Sequence, residues 1–130
     1  MDAWILRLPD YRTRIGSGPD VVILQVTPDG IETELEGVKT TVSHQLSDVA
    51  QDQIQLGHQR LILDLSTVTQ MDTQLLGLII AAYVRAENLG GKFVLANPRP
   101  KVVSSLETAN IGSVLLIFDS VLAAVHHFNS

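Results

Sequence analysis

An acid and a hydroxyl, Asp72 and Thr73, are adjacent in the segment QMDTQLLGL (70–78) and form the one candidate chemical site of the sequence. They fall where an apolar strand-like segment ends and an apolar helix-like segment begins. A hydroxyl at the start of a helix is a favourable site for a phosphate, because the free N–H groups and the helix dipole stabilise negative charge there. The pair therefore raises the question of whether Thr73 is a hydroxyl that another protein modifies or whether the two residues only cap a helix.

The same two residues also have a purely structural interpretation. Asp72 can cap the helix, since its carboxylate can accept hydrogen bonds from N–H groups of the first turn. Alternatively, Thr69 is the cap and Asp72 is its capping-box partner three residues on. Either role accounts for the acid, but neither requires a hydroxyl at Thr73, where helix propensity favours other residues.

The rest of the sequence predicts no catalytic, cofactor or metal site. The nucleophile pattern G-x-S-x-G and the phosphate-loop pattern G-x-x-x-x-G-K-[ST] do not occur. The one G-x-G, at 16–18, precedes a strand-like segment instead of following one, so it does not fit a dinucleotide-binding loop. The histidines lack the spacing of metal ligands; they are His44, His58, His126 and His127. We therefore expect a protein that is not an enzyme and needs no cofactor.

The composition predicts one acidic domain. The 130 residues include 45% hydrophobic side chains, no cysteine and a net charge of −5. The length fits one domain, and an acidic surface argues against nucleic acid or an anionic membrane as the main partner. Residues 1–10 carry an acid at position 2 and only a four-residue apolar run, unlike a signal peptide. The apolar stretch 75–84 is too short to cross a bilayer.

Strand-like and helix-like segments alternate along the chain, which predicts an α/β sheet covered by helices. Short apolar runs bounded by turn residues are typical of buried strands; they are 21–26, 60–66, 92–97 and 114–118. Segments with apolar residues at helical spacing predict helices; they are 38–56, 75–91, 101–110 and 120–128. Residues 3–15 add a short strand or hairpin, and 16–20 a flexible turn.

The segment from Arg60 to Ser120 resembles the STAS domains, the family of sulfate-transporter and anti-sigma-factor-antagonist domains. The resemblance comes from features in a fixed order. They are an apolar strand ending in Asp-Leu-Ser, an acid–hydroxyl pair before an amphipathic helix, a Gly-Gly stop, a strand ending in Asn-Pro, a helix containing Leu-Glu, and a terminal IFDS. Residues 21–56 fit the family more loosely.

The resemblance implies a fold and a domain organisation. The fold would be a mixed sheet of four or five strands with helices mainly on one face. The domain would span 21–130, and residues 1–20 would be an N-terminal extension. Trp4 and Tyr11 of this extension would either cover an edge of the sheet or form a dimer contact.

The resemblance also implies a role for the acid–hydroxyl pair. In bacterial family members, the anti-anti-sigma proteins, a partner kinase phosphorylates the hydroxyl that follows the acid. That kinase also serves as an anti-sigma factor. Laid on this sequence, Thr73 is the phosphoacceptor, and Asp72 is its flanking acid and helix cap. The second hydroxyl and the small glycine of the family's motif are replaced by Gln74 and Leu75.

A partner-contact surface and a set of partners are implied as well. The contact residues are Gln74, Leu75, Leu76, Gly77, Asn97 and Arg99. The partners would be an anti-sigma factor that is a histidine-kinase-like serine/threonine kinase, and a phosphatase, in the cytoplasm. ATP and magnesium would belong to the kinase. The alternative is a non-phosphorylated scaffold or adaptor subunit of a stressosome-like assembly, which would form an oligomer.

Overall fold

The computed structural model describes residues 21–129, and within them a six-stranded sheet and four α-helices. The strands are β1 (Val21–Thr27), β2 (Gly30–Leu35), β3 (Val38–Val42), β4 (Arg60–Asp64), β5 (Lys92–Ala96) and β6 (Ile117–Phe118). The helices are α1 (Leu46–Gln55), α2 (Thr73–Asn88), α3 (Pro100–Thr108) and α4 (Val121–Asn129). Short 3-10 helices, Leu65–Thr67 and Ile111–Ser113, follow β4 and α3. The predicted strand or hairpin at 3–15 lies outside the described residues.

The sheet is mixed, and its order is β3-β2-β1-β4-β5-β6. The first three described strands, β1 to β3, form an antiparallel meander, whereas β4 pairs parallel with β1, β5 with β4, and β6 with β5. The predicted α/β class is therefore confirmed. The described sheet has six strands where the sequence predicted four or five, because residues 30–42 form a hairpin of β2 and β3.

The predicted helix over 38–56 is wrong in its first part. Val38–Val42 is β3, which pairs antiparallel with β2, and α1 begins only at Leu46. The two valines and Leu46 are spaced by four, which suits a helix, but the segment VKTTV is rich in β-branched residues, which favour strands. Glu36 and Gly37 also take left-handed φ values of 52° and 85°, as a tight hairpin turn requires.

Three helices cover one face of the sheet and α4 packs on the other, so the described helices lie mainly on one face, as predicted. α1, α2 and α3 bury their apolar sides on the first face. The strands contribute large, fully buried side chains to this face, namely Leu24, Leu61, Leu63, Phe93 and Leu95. On the second face, Ala124 and Val125 of α4 pack with Ile62 and Val94. β4 is thus buried on both faces, as is typical of a central parallel strand.

The predicted strand at 114–118 is reduced to the two residues of β6. Val114 ends the second 3-10 helix with helical dihedral angles of −107° and −48°, so the chain becomes strand-like only further on. The N–H of Leu95 donates to the carbonyl of Leu116 at 3.0 Å. The remaining predicted strands and helices agree with the observed ones to within a few residues at each end.

Candidate functional site

The start of α2 is held by Asp72. This residue has extended dihedral angles of −105° and 174°, and its Oδ1 accepts a hydrogen bond from the N–H of Leu75 at 2.8 Å. Its carbonyl accepts from the N–H of Leu76 at 3.0 Å and so begins the helical ladder. Asp72 is therefore the N-cap of α2. The capping-box interpretation with Thr69 does not apply, because the helix begins three residues later than it would require.

Thr73 is the first residue of α2, and its side chain is exposed. Within residues 21–129, no group exchanges a hydrogen bond with its hydroxyl. The first turn contains no acidic residue beyond the cap, and the helix is 16 residues long. The hydroxyl thus lies at the positive end of a long helix dipole, where added negative charge is stabilised.

Polar contacts fix the segment between β4 and α2 to the rest of the sheet. The buried carboxylate of Asp64 accepts from Nε2 of Gln25 at 2.7 Å and from the N–H of Ser66 at 2.9 Å. The hydroxyl of Thr67 donates to the carbonyl of Val26 at 2.9 Å. Hydrogen bonds to a carboxylate, such as those of Asp64, are stronger than neutral ones, so the chain is held at the point where it leaves the sheet toward Thr73.

The turn after β5 contacts the same segment. Nε of Arg99 donates to the carbonyl of Ser66 at 2.8 Å, and Arg99 is also the N-cap residue of α3. Asn97 has a left-handed φ of 58°, and its N–H donates to the carbonyl of Phe118 at 2.9 Å. Both side chains are exposed. The structure therefore connects Arg99 to the segment that precedes α2, whereas Asn97 is held by β6.

The four other predicted contact residues fall into two pairs. Gln74 and Gly77 are exposed, and a Cβ added at Gly77 would have no neighbour within 4 Å. Leu75 and Leu76 are half-buried and pack against the main core. Thr73 thus lies between two exposed residues, Asp72 and Gln74, whereas Leu75 packs in part against the core.

Leu75 also lines a groove that the sequence did not predict. This Leu75 groove has a volume of about 410 Å³ and lies between the β1–β2 turn, the loop after β3 and the first turns of α2. Its lining is mainly apolar and includes Val26, Ile31, Leu46 and Leu78, with His44 at one side. Three segments distant in sequence form it, so no local motif signals it.

An apolar stripe continues along the exposed side of α2 from Thr73. It consists of Gly77, Ile80, Ala81 and Val84, and we call it the α2 stripe. The side chains of Ile80 and Val84 are 38% and 47% exposed. The residues of the α2 stripe follow one another at spacings of three and four, from Gly77 to Ile80 and Ala81 and from these to Val84, which places them on one side of the helix. The longest helix of the described chain therefore presents both the hydroxyl and an uncovered apolar surface.

Residues 21–129 contain no metal-holding cluster and no membrane-spanning helix. No group of three or more His, Asp or Glu side chains there could hold a metal ion. None of the helices in this part of the chain is long and apolar enough to cross a membrane.

The fold and the site define a class of small α/β domain, in which a mixed sheet presents the capped start of a helix beside an apolar surface. A family model described as "STAS domain" matches residues 19–124. This match covers well over half of the chain, and the chain therefore belongs to the STAS domain family.

Individual proteins agree with this membership. A Thermotoga neapolitana protein named "Putative anti-sigma factor antagonist TM1081 homolog" is 29% identical over 69 residues, which are 53% of this chain and 61% of that protein. The NMR structure of the protein TM1081 is similar with a TM-score of 0.64 and 26% identity, over 84% of this chain and 82% of that one.

A second solved structure supports the fold alone. It is described as the crystal structure of "a putative anti-sigma factor antagonist (tm1081)" from Thermotoga maritima. Its TM-score is 0.58 and its identity 21%, over 85% of this chain and 88% of that one.

Proposed function

We propose that this chain is an anti-sigma-factor antagonist that acts by partner switching under the control of Thr73 phosphorylation. The observation that carries the proposal is the Thr73 hydroxyl, exposed and without a described partner at the first position of α2. Membership of the STAS family and the names of the relatives support the general role. The chain binds other proteins and is not itself an enzyme.

In the unmodified state, the chain binds an anti-sigma factor through the surface around the start of α2. This surface comprises Gln74, the α2 stripe and the rim of the Leu75 groove, with Arg99 nearby. Apolar surface that is uncovered beside polar residues is typical of protein-binding sites. Binding occupies the anti-sigma factor and so frees its sigma factor.

The switch is a phosphoryl transfer from ATP bound to the partner. Oγ1 of Thr73 attacks the γ-phosphorus, the bond to the β-phosphate oxygen breaks, ADP leaves, and the hydroxyl proton passes to a base of the kinase. The product carries about −1.5 to −2 extra charges at neutral pH. ATP and magnesium are held by this histidine-kinase-like serine/threonine kinase, and a phosphatase in the same cytoplasm reverses the step.

Phosphorylation changes the surface and leaves the fold intact. The new charge lies at the N-terminus of α2, where the dipole and free N–H groups stabilise a negative charge by up to about 1 kcal/mol. The partner, by contrast, meets extra bulk and negative charge at its contact. The loss of affinity therefore comes from the partner's unfavourable contact with the phosphate and not from a change in the fold of this chain.

A scaffold role without phosphorylation is the second candidate, and Leu75 favours it. The family's motif has a small residue here, whereas this chain has a half-buried leucine at the edge of an apolar groove. A permanent partner could place an apolar side chain in this groove. Each Å² of apolar surface buried there would stabilise the complex by about 25 cal/mol.

Capture of partners in the protein's own cells tests the proposal. The tagged wild-type chain is compared with Thr73→Glu and with a matched control, Thr69→Glu, at an exposed threonine of the preceding loop. We expect the wild type and the control to retain a protein with a histidine-kinase-like ATPase domain, and Thr73→Glu to lose it. Equal retention by all three chains would contradict the switch. Recovery of large assemblies of this chain alone would favour the scaffold.

A further inference from the structure

The second face of the sheet is only half covered by the described chain. α4 packs over β4, β5 and β6, and the other three helices pack on the opposite face. Between α4 and the β2–β3 hairpin lies a second groove of about 200 Å³, which we call the α4 groove. Its floor is apolar, formed by Val21, Ile23, Val121, Leu122 and Val125.

One wall of the α4 groove is acidic. Glu34 and Glu36 line it, and Glu32 follows on the same face because it pairs with Gln25 as Glu34 pairs with Ile23. Lys39, the one basic residue of β2 and β3, lies directly opposite Glu34, so three glutamates against one lysine leave this side of the hairpin with a net negative charge. The groove thus suits an occupant that combines apolar side chains with positive charge. Leu122, at its edge, is 58% exposed.

A segment of this chain has that composition. Residues 3–15, AWILRLPDYRTRI, contain the apolar run Trp4-Ile5-Leu6 and three arginines against one aspartate, a net charge of +2. This charge is opposite to that of the groove wall, and the chain as a whole is acidic at −5. Charge complementarity of this kind orients partners and selects against wrong ones.

The connection places this segment within reach of the groove. Val21, the first described residue, itself lines the α4 groove. The five residues 16–20 that join it to Ile15 span at most about 17 Å when extended. A tether this short gives an effective concentration on the order of 1 mM, so an intrinsic dissociation constant of about 0.1 mM would give roughly 90% occupancy.

We propose that residues 3–15 dock in the α4 groove of their own chain, with the apolar run on its floor and the arginines against its glutamates. The segment then covers the open half of the second face. This inference concerns the side of the sheet away from α2, and it is independent of the function proposed for Thr73.

The sole tryptophan of the chain, Trp4, reports on this docking in the full-length protein. We expect its fluorescence to be blue-shifted and shielded from acrylamide in the wild type. Leu122→Asp should shift the emission to the red and raise quenching toward the level of the unfolded chain. The matched control is Leu56→Asp at the end of α1, where the side chain is 69% exposed on the other face. This control should leave Trp4 shielded.

A charge variant keeps the test decisive if Leu122→Asp fails to fold. Glu34→Lys should raise Trp4 quenching, most strongly at low salt, whereas Glu107→Lys on the exposed side of α3 should not. A solvated Trp4 in the wild type would overturn the proposal. So would shielding that both groove variants leave unchanged, because the segment would then dock elsewhere. Shielding that disappears on dilution would mean docking onto a second copy and would overturn it too.

Discussion

Removing the side chain of Asp72 should destabilise the domain by about 1 kcal/mol, because the carboxylate satisfies one free N–H of the first turn of α2. The bond from the N–H of Leu75 is 2.8 Å long, and the cap is exposed, so its replacement by water limits the loss. For a chain of this size, the change corresponds to a fall of about 3–5 °C in the melting temperature. Asp72→Asn keeps an acceptor in place and should cost less than about 0.5 kcal/mol.

Urea denaturation followed by circular dichroism measures these differences, and α1 supplies the matched control. Its N-cap residue is Gln45, whose side chain makes no capping hydrogen bond. Gln45→Ala should therefore be nearly neutral, and Gln45→Asp should stabilise by up to about 1 kcal/mol. The four variants together separate capping from the general effect of a charge.

Two results would show that the Asp72 side chain does not stabilise α2 by capping it. If Asp72→Ala has the same midpoint as the wild type, the observed hydrogen bond contributes nothing. If Asp72→Asn is as unstable as Asp72→Ala, the negative charge matters and the capping geometry does not.

Two further predictions concern glycines. Gly77→Ala should raise the free energy of unfolding by about 1 kcal/mol, because the residue is in a helix with open space around its Cβ position. The added methyl group should also weaken capture of the proposed anti-sigma-factor partner by adding bulk to the proposed contact surface, and unchanged capture would remove Gly77 from that surface. Gly30→Ala should destabilise by about 2–3 kcal/mol or more, since φ is +142° and the new Cβ would lie 2.1 Å from the carbonyl oxygen of Val42. A near-neutral urea midpoint for Gly30→Ala would show that the β1–β2 turn adapts readily.

The central elements could be predicted because their local signals agree with their surroundings. The run Leu61-Ile62-Leu63 reads as a strand buried on both faces, and the sheet places it between two parallel neighbours. α2 has apolar residues at helical spacing and a Gly90 with a left-handed φ of 83° just after its end. Propensity, periodicity and stop signals point the same way here.

The sequence does not predict the hairpin of β2 and β3, because the local signals of residues 30–42 conflict. The spacing of Val38, Val42 and Leu46 fits a helix, and the turn uses Glu36 at a left-handed φ where asparagine or glycine would have been recognised. The pairing of β3 with β2 decides the outcome, and the periodicity of the segment 38–56 taken by itself does not report on that pairing.

The site was predictable only in part. Asp72 as N-cap was one of two open interpretations, and the sequence places Thr73 beside it. The contact of Arg99 with the carbonyl of Ser66 depends on the approach of two loops that are 33 residues apart. The Leu75 groove likewise needs three separate segments. Local periodicity contains no information about such approaches.

Phosphorylation of Thr73 is tested by intact mass and phosphopeptide mapping of the protein isolated from its own cells under growth and stress, beside Thr73→Ala. We expect one added phosphate that maps to Thr73 and is absent from the variant. An unmodified protein under both conditions, or a phosphate that maps to another residue, would contradict it.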